Sequence, residues 1–253
     1  MPLPEGLALG SLAALALVVL TAFTVEAALG FGATLIAVAL GSLFLPIDAL
    51  LPSLVPLNLA ISFWLVARYW REVDVTFLTR RLLPLMALGL PAGIALYRVA
   101  DAALLKRLFG AFLVVVSSVE LRRMRATRGA SPAPLARAVE VAMLLAGGVV
   151  HGAFATGGPM AVYVTSRAVT EKGAYRATLC VLWAALNLVL LGSYAWAGDL
   201  DAGTLTLSAA LFPSLALGLV LGEIAHHRVP VPVFRAAVFV GLALAGLMLL
   251  VRG

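Results

Sequence analysis

Two short glycine-containing stretches interrupt the apolar sequence. The first holds Glu26, Gly30, Phe31, Gly32 and Ala33, and the second holds His151, Thr156, Gly157, Gly158 and Pro159. Glycine permits close backbone approach, and proline suits the first turn of a new helix. A helix that starts inside a membrane leaves backbone N–H groups unpaired, and their partial positive charge attracts anions. The stretches therefore predict an anion site built mainly from backbone, unless the glycines serve only close helix packing.

Glu26 and His151 are the ionisable side chains of these stretches. An ionisable group within a membrane is costly and is usually functional. Because histidine can change charge near neutral pH, we predict that His151 offers the anion a positive or hydrogen-bond-donating group. Glu26 would carry a coupling proton or hold His151 in orientation. The alternative is a structural pair, or two groups that face an aqueous vestibule.

Two asparagines, Asn58 and Asn187, lie within apolar segments in different halves of the chain. A buried amide can bind a substrate or bridge two helices, and the sequence leaves both roles open. The hydroxyl of Thr156 lies beside the second stretch. The predicted substrate-binding residues are Gly30, Phe31, Gly32, Ala33, Asn58, His151, Thr156, Gly157, Gly158, Pro159 and Asn187, with Glu26 and His151 as the proton-coupling candidates.

The composition excludes a water-soluble domain. Of 253 residues, 63% are hydrophobic and 12% are charged, with a mean hydropathy of +1.08, whereas soluble domains average roughly 25% charged residues. The bilayer is therefore the solvent. The net charge of +6 comes from basic residues between apolar runs, which argues against a nucleic-acid partner.

Signatures of enzymes are absent from the sequence. It contains no His-Glu-x-x-His, Gly-x-Ser-x-Gly or Walker motif, and its single cysteine, Cys180, allows no internal disulfide. We therefore expect neither an enzyme nor an ATP-driven pump, and no cofactor or metal. The first apolar run lacks the preceding basic residues of a cleaved signal peptide, so we expect 7–28 to remain in the mature protein.

Ten apolar segments flank one polar stretch. They fall at 7–28, 31–46, 49–67, 81–99 and 103–121, and, after polar residues 122–137, at 138–155, 158–168, 177–197, 204–225 and 231–251. Several reach the roughly 20 residues that span a bilayer as helix. The segments 31–46 and 158–168 are shorter and follow the glycines, so we predict broken or short re-entrant helices at the membrane midplane.

The two halves of the chain repeat each other. Residues 83–93 match residues 212–222 at an offset of 129, which also superimposes the two asparagines. Near the start of each half an offset of 125 superimposes Glu26 on His151. The shared order indicates duplication. Because each copy has an odd number of segments, the second copy is predicted to be inverted, as in many secondary transporters.

Charge sets the predicted orientation. If the loop at 68–81 is cytoplasmic, fourteen of the eighteen Lys and Arg residues lie on that side. The positive-inside rule then predicts an inner-membrane protein with both termini in the periplasm. Glu223 lies near a predicted cytoplasmic end, where solvation accounts for it. The predicted division is a first repeat (1–121), a cytoplasmic linker (122–137) and an inverted second repeat (138–253).

Short motifs recur at the two breaks and ahead of two later helices. Gly30-Phe31-Gly32 and Gly157-Gly158-Pro159 mark the breaks, and Val73-Asp74 and Leu200-Asp201 precede helices with the pattern Pro-xx-Ala-Leu-Gly-Leu-xx-Gly. In these motifs, over nearly the whole chain, the sequence resembles the sulfite exporter TauE/SafE family. The resemblance implies a membrane permease for sulfur-containing oxyanions or organosulfonates, such as sulfite and sulfoacetate.

The prediction is therefore a secondary transporter that exports or exchanges a small anion by alternating access of inverted repeats. An interior-negative potential favours anion exit by about 2.3 kcal/mol per charge per 100 mV, so export needs little coupling. A passive anion channel is the alternative, and a lipid flippase or membrane-embedded enzyme is the third hypothesis. The predicted partners are the small anionic substrate and the lipid bilayer, while the direction of transport and a homodimer stay open.

Overall fold

The chain is helical throughout the part that the structure describes. The computed structural model describes residues 9–126, 135–228 and 231–252, with side chains for all of these except 125–126, 226–228, 231–238 and 252. These residues form no strand, one 3-10 turn (Trp70–Glu72) and ten longer helices, namely α1 (Leu9–Leu29), α2 (Ala33–Gly41), α3 (Ile47–Tyr69), α4 (Val75–Val99), α5 (Ala102–Ala126), α6 (Arg137–Phe154), α7 (Gly158–Ala168), α8 (Lys172–Ala197), α9 (Ala202–Arg228) and α10 (Val231–Arg252).

Seven of these helices are long and apolar enough to cross a membrane, namely α1, α3, α4, α5, α6, α8 and α9. The prediction of an all-α membrane protein is confirmed to that extent. The two helices that follow the glycine stretches, α2 and α7, are short. The most buried of the long helices are α3 and α8, which lie at the centre of the bundle and carry the two asparagines.

Polar caps extend two helices beyond their apolar segments. α4 begins before its apolar segment, where the Asp74 carboxylate accepts a hydrogen bond of 2.9 Å from the N–H of Phe77. α8 also begins early, where Glu171 accepts hydrogen bonds from the N–H groups of Ala174 and Gly173. These two donors hold the pKa of the Glu171 carboxyl below its ordinary value. Both helices therefore start in a polar turn that an apolar pattern does not show.

The predicted linker at 122–137 lies mostly outside the described residues. α5 continues to Ala126 and α6 begins at Arg137, while 127–134 are not described. Residues 7–8 at the start of the first apolar segment and residue 253 also lie outside the described residues.

Helices of one half pack mainly on helices of the other half. α1 packs along α9, α4 along α6, α3 along α8, and α5 along α10. Each short helix packs on the long helix before it, α2 on α1 and α7 on α6. The two breaks are therefore carried by α1 and α6 toward the central pair α3 and α8.

Glycines bring α4 and α6 into close contact. A Cβ atom added at Gly89 or Gly93 of α4 would collide with backbone carbonyls of α6, and one at Gly148 or Gly152 would collide with carbonyls of α4. This reciprocal arrangement is small-xxx-small packing, which lets helix backbones approach closely where lipid supplies no hydrophobic drive. It fixes α6, and with it the second break, against the rest of the bundle.

Candidate functional site

A small pocket lies between the two breaks, at the centre of the bundle. Its lining residues are Glu26, Phe31, Gly32, Thr34, Asn58, His151, Ala155, Thr156, Gly158, Trp183 and Asn187. The space open to the centre of a water molecule is about 20 Å³, little more than the roughly 10–15 Å³ that one water needs. The breaks therefore close around a polar space that holds little more than water.

The first break is built around Glu26. α1 ends at Leu29, and the left-handed backbone of Gly30 (φ 82°) and Gly32 (φ 110°) redirects the chain into α2. The Glu26 side chain is buried and its Oε2 accepts a hydrogen bond of 2.8 Å from the N–H of Ala33, the first residue of α2. A carboxylate of the protein therefore already occupies the positive end of α2.

The second break is built around His151. α6 ends at Phe154, and Ala155 has a left-handed backbone (φ 51°), although it is not glycine. The N–H of Gly157 donates a hydrogen bond of 3.2 Å to His151 Nδ1. Because Nδ1 is the acceptor, the proton of the neutral ring lies on Nε2. Within the described residues Nε2 is buried and has no hydrogen-bond partner.

The two asparagines meet at the centre of the site. Asn187 Nδ2 donates to Asn58 Oδ1 at 2.7 Å. Asn58 Nδ2 in turn lies 3.0 Å from Thr34 Oγ1 and 3.3 Å from both carboxylate oxygens of Glu26. A continuous series of hydrogen bonds thus runs from α8 through α3 to the first break, and it satisfies the buried carboxylate.

Trp183 of α8 contacts both breaks. Its indole Nε1 donates a hydrogen bond of 3.0 Å to the carbonyl of Gly30. Its ring stacks on the His151 imidazole, with centroids 5.6 Å apart and planes inclined by 11°. The indole therefore holds the carbonyl of the first break and one face of the imidazole of the second.

Most of the sequence-predicted residues lie at this one place. Those that line the pocket are Glu26, Phe31, Gly32, Asn58, His151, Thr156, Gly158 and Asn187. Gly30, Ala33, Gly157 and Pro159 lie in the breaks behind the lining and act through backbone geometry. One of the two roles expected for Glu26 is to hold His151 in orientation, but the described residues contain no hydrogen bond between these side chains. Glu26 bonds to Ala33 and Asn58, while His151 bonds to Gly157.

Sequence reasoning missed three lining residues, Thr34, Ala155 and Trp183. Trp183 could have been found, because it precedes Asn187 by one helical turn and so shares its face of α8. Ala155 could have been found from the repeat, since the offset of 125 places it on Gly30. Thr34 has no such signal, because only the packing of α2 on α3 brings it to Asn58.

The site offers hydrogen-bond donors around one acidic residue and one buried acceptor, Asn187 Oδ1, that has no partner among the described residues. The pocket is lined by His151, whose Nε2 has no partner among the described residues, by the Thr156 hydroxyl and by Gly158. Gly158 is the first residue of α7, so its N–H has no intrahelical acceptor. Glu26 is the only acidic residue among the described residues of the lining, and Ala33 and Asn58 already bind its oxygens. No group of three or more His, Cys, Asp or Glu residues in the described chain could hold a metal ion. The arrangement suits a small acceptor-rich molecule, above all an anion.

Comparison with known proteins identifies one family. The model of the sulfite exporter TauE/SafE family matches residues 15–249, nearly the whole chain. No curated protein matches the chain. No solved structure matches it either.

Proposed function

The chain belongs to the sulfite exporter TauE/SafE family, and on that basis we propose that it is a secondary transporter of sulfite or an organosulfonate. The family is one of membrane transporters for sulfur anions, and seven apolar helices make this chain a multi-pass membrane protein. The observation that carries the finer proposal is the buried His151 Nε2, a donor without a partner beside the first residue of α7.

In this proposal the anion binds in front of α7. The positive end of that helix and the N–H groups of Gly158 and Met160 attract an anion. Pro159 has no N–H, and the N–H of Ala161 donates to the carbonyl of Gly157. His151 Nε2 and the Thr156 hydroxyl supply further donors from the side of α6. A sulfur oxyanion carries acceptor oxygens in several directions, so donors from two elements bind it better than one helix end alone.

Glu26 is the proposed proton-coupling residue. Its carboxylate lines the same pocket, which is shielded from water. Two negative charges in such a place repel strongly, so anion binding favours the protonated form of Glu26. A proton would then enter the site with the anion and leave with it.

Alternating access of two inverted repeats, 1–121 and 138–253, is the proposed mechanism. In this duplication α1 to α5 correspond in order to α6 to α10. If each helix is replaced by its counterpart, the contact of α1 with α9 becomes the contact of α6 with α4. The contacts of α3 with α8 and of α5 with α10 stay the same. An inverted duplication with α2 and α7 as re-entrant helices accounts for this pairing. The small volume of the pocket supports the same mechanism, because a sulfur oxyanion requires the breaks to separate.

The proposed orientation is that of an inner-membrane protein with periplasmic termini and a cytoplasmic 122–137 linker. Its support is the excess of Lys and Arg in the loops on the side of residues 68–81. The sulfite dianion with one proton still carries one negative charge, and the interior-negative potential favours its exit, so export is the proposed direction.

Transport of sulfite into proteoliposomes containing the purified protein tests the proposal. We expect saturable uptake of labelled sulfite that is accelerated when unlabelled sulfite is preloaded inside the vesicles. Protein-free vesicles should show no comparable uptake. Absence of sulfite and sulfoacetate transport would reject the substrate class. Unitary currents of thousands of ions per second in a planar bilayer would instead identify an anion channel and reject alternating access.

A further inference from the structure

One buried arginine outside the pocket is incompletely paired. Arg176, in the first turns of α8, is 5% exposed and forms an ion pair with Glu223 of α9. Its guanidinium lies 4.8 Å from the centroid of the Tyr69 ring, whose hydroxyl donates to Glu223 at 2.9 Å. Within the described residues Arg176 Nε is buried and has no hydrogen-bond partner. A fixed positive charge with a spare donor is costly to bury without a function.

One face of α8 connects this arginine to the pocket. Arg176, Cys180, Trp183 and Asn187 recur at helical spacing and are all buried. Trp183 and Asn187 line the pocket, and at about 1.5 Å per residue Arg176 lies about 10 Å along the axis from Trp183. The first break also reaches this charge, because a Cβ atom added at Gly30 would lie 3.1 Å from Arg176 Cγ.

We propose that Arg176 is a second anion-binding position, on the route between the pocket and the end of the bundle where α3 joins α4. Glu223 occupies this position when no substrate is there, and the arriving anion displaces it. The identity of the anion as sulfite or a sulfonate rests on the proposed function, but the position itself rests on the geometry of Arg176 and Glu223.

The two partners differ in a way that suits displacement. The Arg176 side chain is 6% exposed and the Glu223 side chain 22% exposed, so the carboxylate can turn toward water while the guanidinium cannot. Guanidinium binds planar pairs of oxygens, which a carboxylate and a sulfur oxyanion both present. Glu223 therefore stands in for the substrate rather than closing a solvated helix end.

An ion pair at the opposite end of the bundle provides a matched control. Arg98 and Asp199 are 2.5 Å apart, and their side chains are 30% and 29% exposed. Arg98 also donates a hydrogen bond of 2.9 Å to the carbonyl of Ser193. Both partners reach solvent, so this pair has the charges of the Arg176 pair without its burial.

Cys180 is the only cysteine of the sequence and lies between Arg176 and Trp183 on α8, so it reports on the route in the full-length protein. The purified protein is reacted with an anionic sulfonate-bearing methanethiosulfonate and with a cationic ammonium-bearing one. In Glu223→Gln we expect Cys180 to react roughly fivefold faster with the anionic reagent and no faster with the cationic one. Arg176→Gln should abolish the preference for the anion. Equal acceleration of both reagents in both variants would show a purely structural ion pair and overturn the proposal.

Sulfite transport gives an independent readout when sulfite is supplied on the side of the membrane that faces the end of the bundle where α3 joins α4. Glu223→Gln should lower the half-saturating sulfite concentration roughly fivefold and Arg176→Gln should raise it, while Asp199→Asn leaves it unchanged. An ion pair with a purely structural role predicts that the half-saturating sulfite concentration shifts in the same direction in Glu223→Gln and Arg176→Gln, and that result would overturn the proposal.

Two further outcomes are decided by the same experiments. If the wild type does not transport sulfite but the labelling preferences hold, the proposed function fails and the second anion position stands. If Arg176→Gln does not fold, Arg176→Lys should keep the preference for the anionic reagent, and loss of that preference in the lysine variant counts against the proposal.

Discussion

The two breaks share one backbone device and differ in the side chain that occupies it. In each, a long helix ends in a left-handed residue, Gly30 or Ala155, and a short helix begins a few residues later. In each, a backbone N–H near the new helix donates to the ionisable side chain that precedes the break, Glu26 or His151. The acceptor is a carboxylate in the first break and an imidazole nitrogen in the second.

That difference makes the two helix ends unequal. The positive end of α2 already has an anion, the Glu26 carboxylate, whereas the end of α7 has a neutral ring with a free donor on Nε2. The sequence predicts one anion site to which both helix ends contribute, and in the structure the end of α2 already binds a carboxylate of the protein. The comparison indicates one open position for an anion and one position filled by the protein.

Removal of the imidazole should have the largest effect. His151→Ala deletes the free donor and should lower sulfite transport at subsaturating concentration by roughly 10- to 100-fold, since hydrogen bonds to charged groups contribute about 1.5–3 kcal/mol. His151→Gln keeps an acceptor for the N–H of Gly157 and a donor toward the pocket, so it should retain more transport. Unchanged transport in His151→Ala would place the anion elsewhere.

A side chain at Gly30 should destabilise the first break. In Gly30→Ala a left-handed alanine costs about 1–2 kcal/mol, and its Cβ would lie 3.1 Å from Arg176 Cγ. We expect a lower unfolding temperature of the detergent-solubilised protein. Gly192→Ala, on α8 with nothing within 4 Å of the added atom, is the control and should leave that temperature unchanged or raise it slightly, because alanine in a helix interior is about 0.5–1 kcal/mol more favourable than glycine. Equal unfolding temperatures for the wild type and Gly30→Ala would show that the break tolerates other backbone angles.

Neutralising Glu26 tests the filled position. Glu26→Gln keeps an acceptor for the N–H of Ala33 but cannot exchange a proton, so sulfite transport should no longer respond to an imposed pH gradient. In the wild type, coupling to one proton allows about tenfold accumulation per unit of pH difference. Uptake by the variant is measured with and without that gradient. A response equal to that of the wild type would remove Glu26 from coupling.

The smallest effect should come from the left-handed alanine of the second break. Ala155→Gly relieves backbone strain but adds flexibility to the unfolded chain, two terms of about 1 kcal/mol that oppose each other. We expect an unfolding temperature equal to or slightly above that of the wild type. A clear decrease would show that the Ala155 methyl group, which lines the pocket, contributes packing that outweighs the strain.

The sequence predicts the helices because a bilayer requires long apolar runs. It predicts both breaks because ionisable residues are costly inside such runs and, together with glycine, mark interruptions of the helix. The starts of α4 and α8 escaped prediction because Asp74 and Glu171 cap polar turns. The ion pair of Glu223 also escaped it, because only the packing of α9 on its neighbours brings that carboxylate to Arg176. Apolar patterning thus gives the elements but not the partners of the polar groups.

The inequality of the two ends also could not be predicted. Glu26 and His151 occupy equivalent places in the repeat, and one of the roles that the sequence leaves open for Glu26 is to hold His151 in orientation. In the structure each turns back to its own break, because the nearest unpaired donor is the N–H group at the start of the following helix. Local backbone donors thus win over the partner from the other half.

The bond between the central amides has a direction. Asn187 is the donor and Asn58 the acceptor. The amide N–H groups of Asn58 in turn donate to Glu26 and Thr34. A two-fold axis would have to map this bond onto itself, which no single N–H···O contact allows. If the repeats exchange conformations, as the proposed mechanism requires, the two amides must also exchange the roles of donor and acceptor.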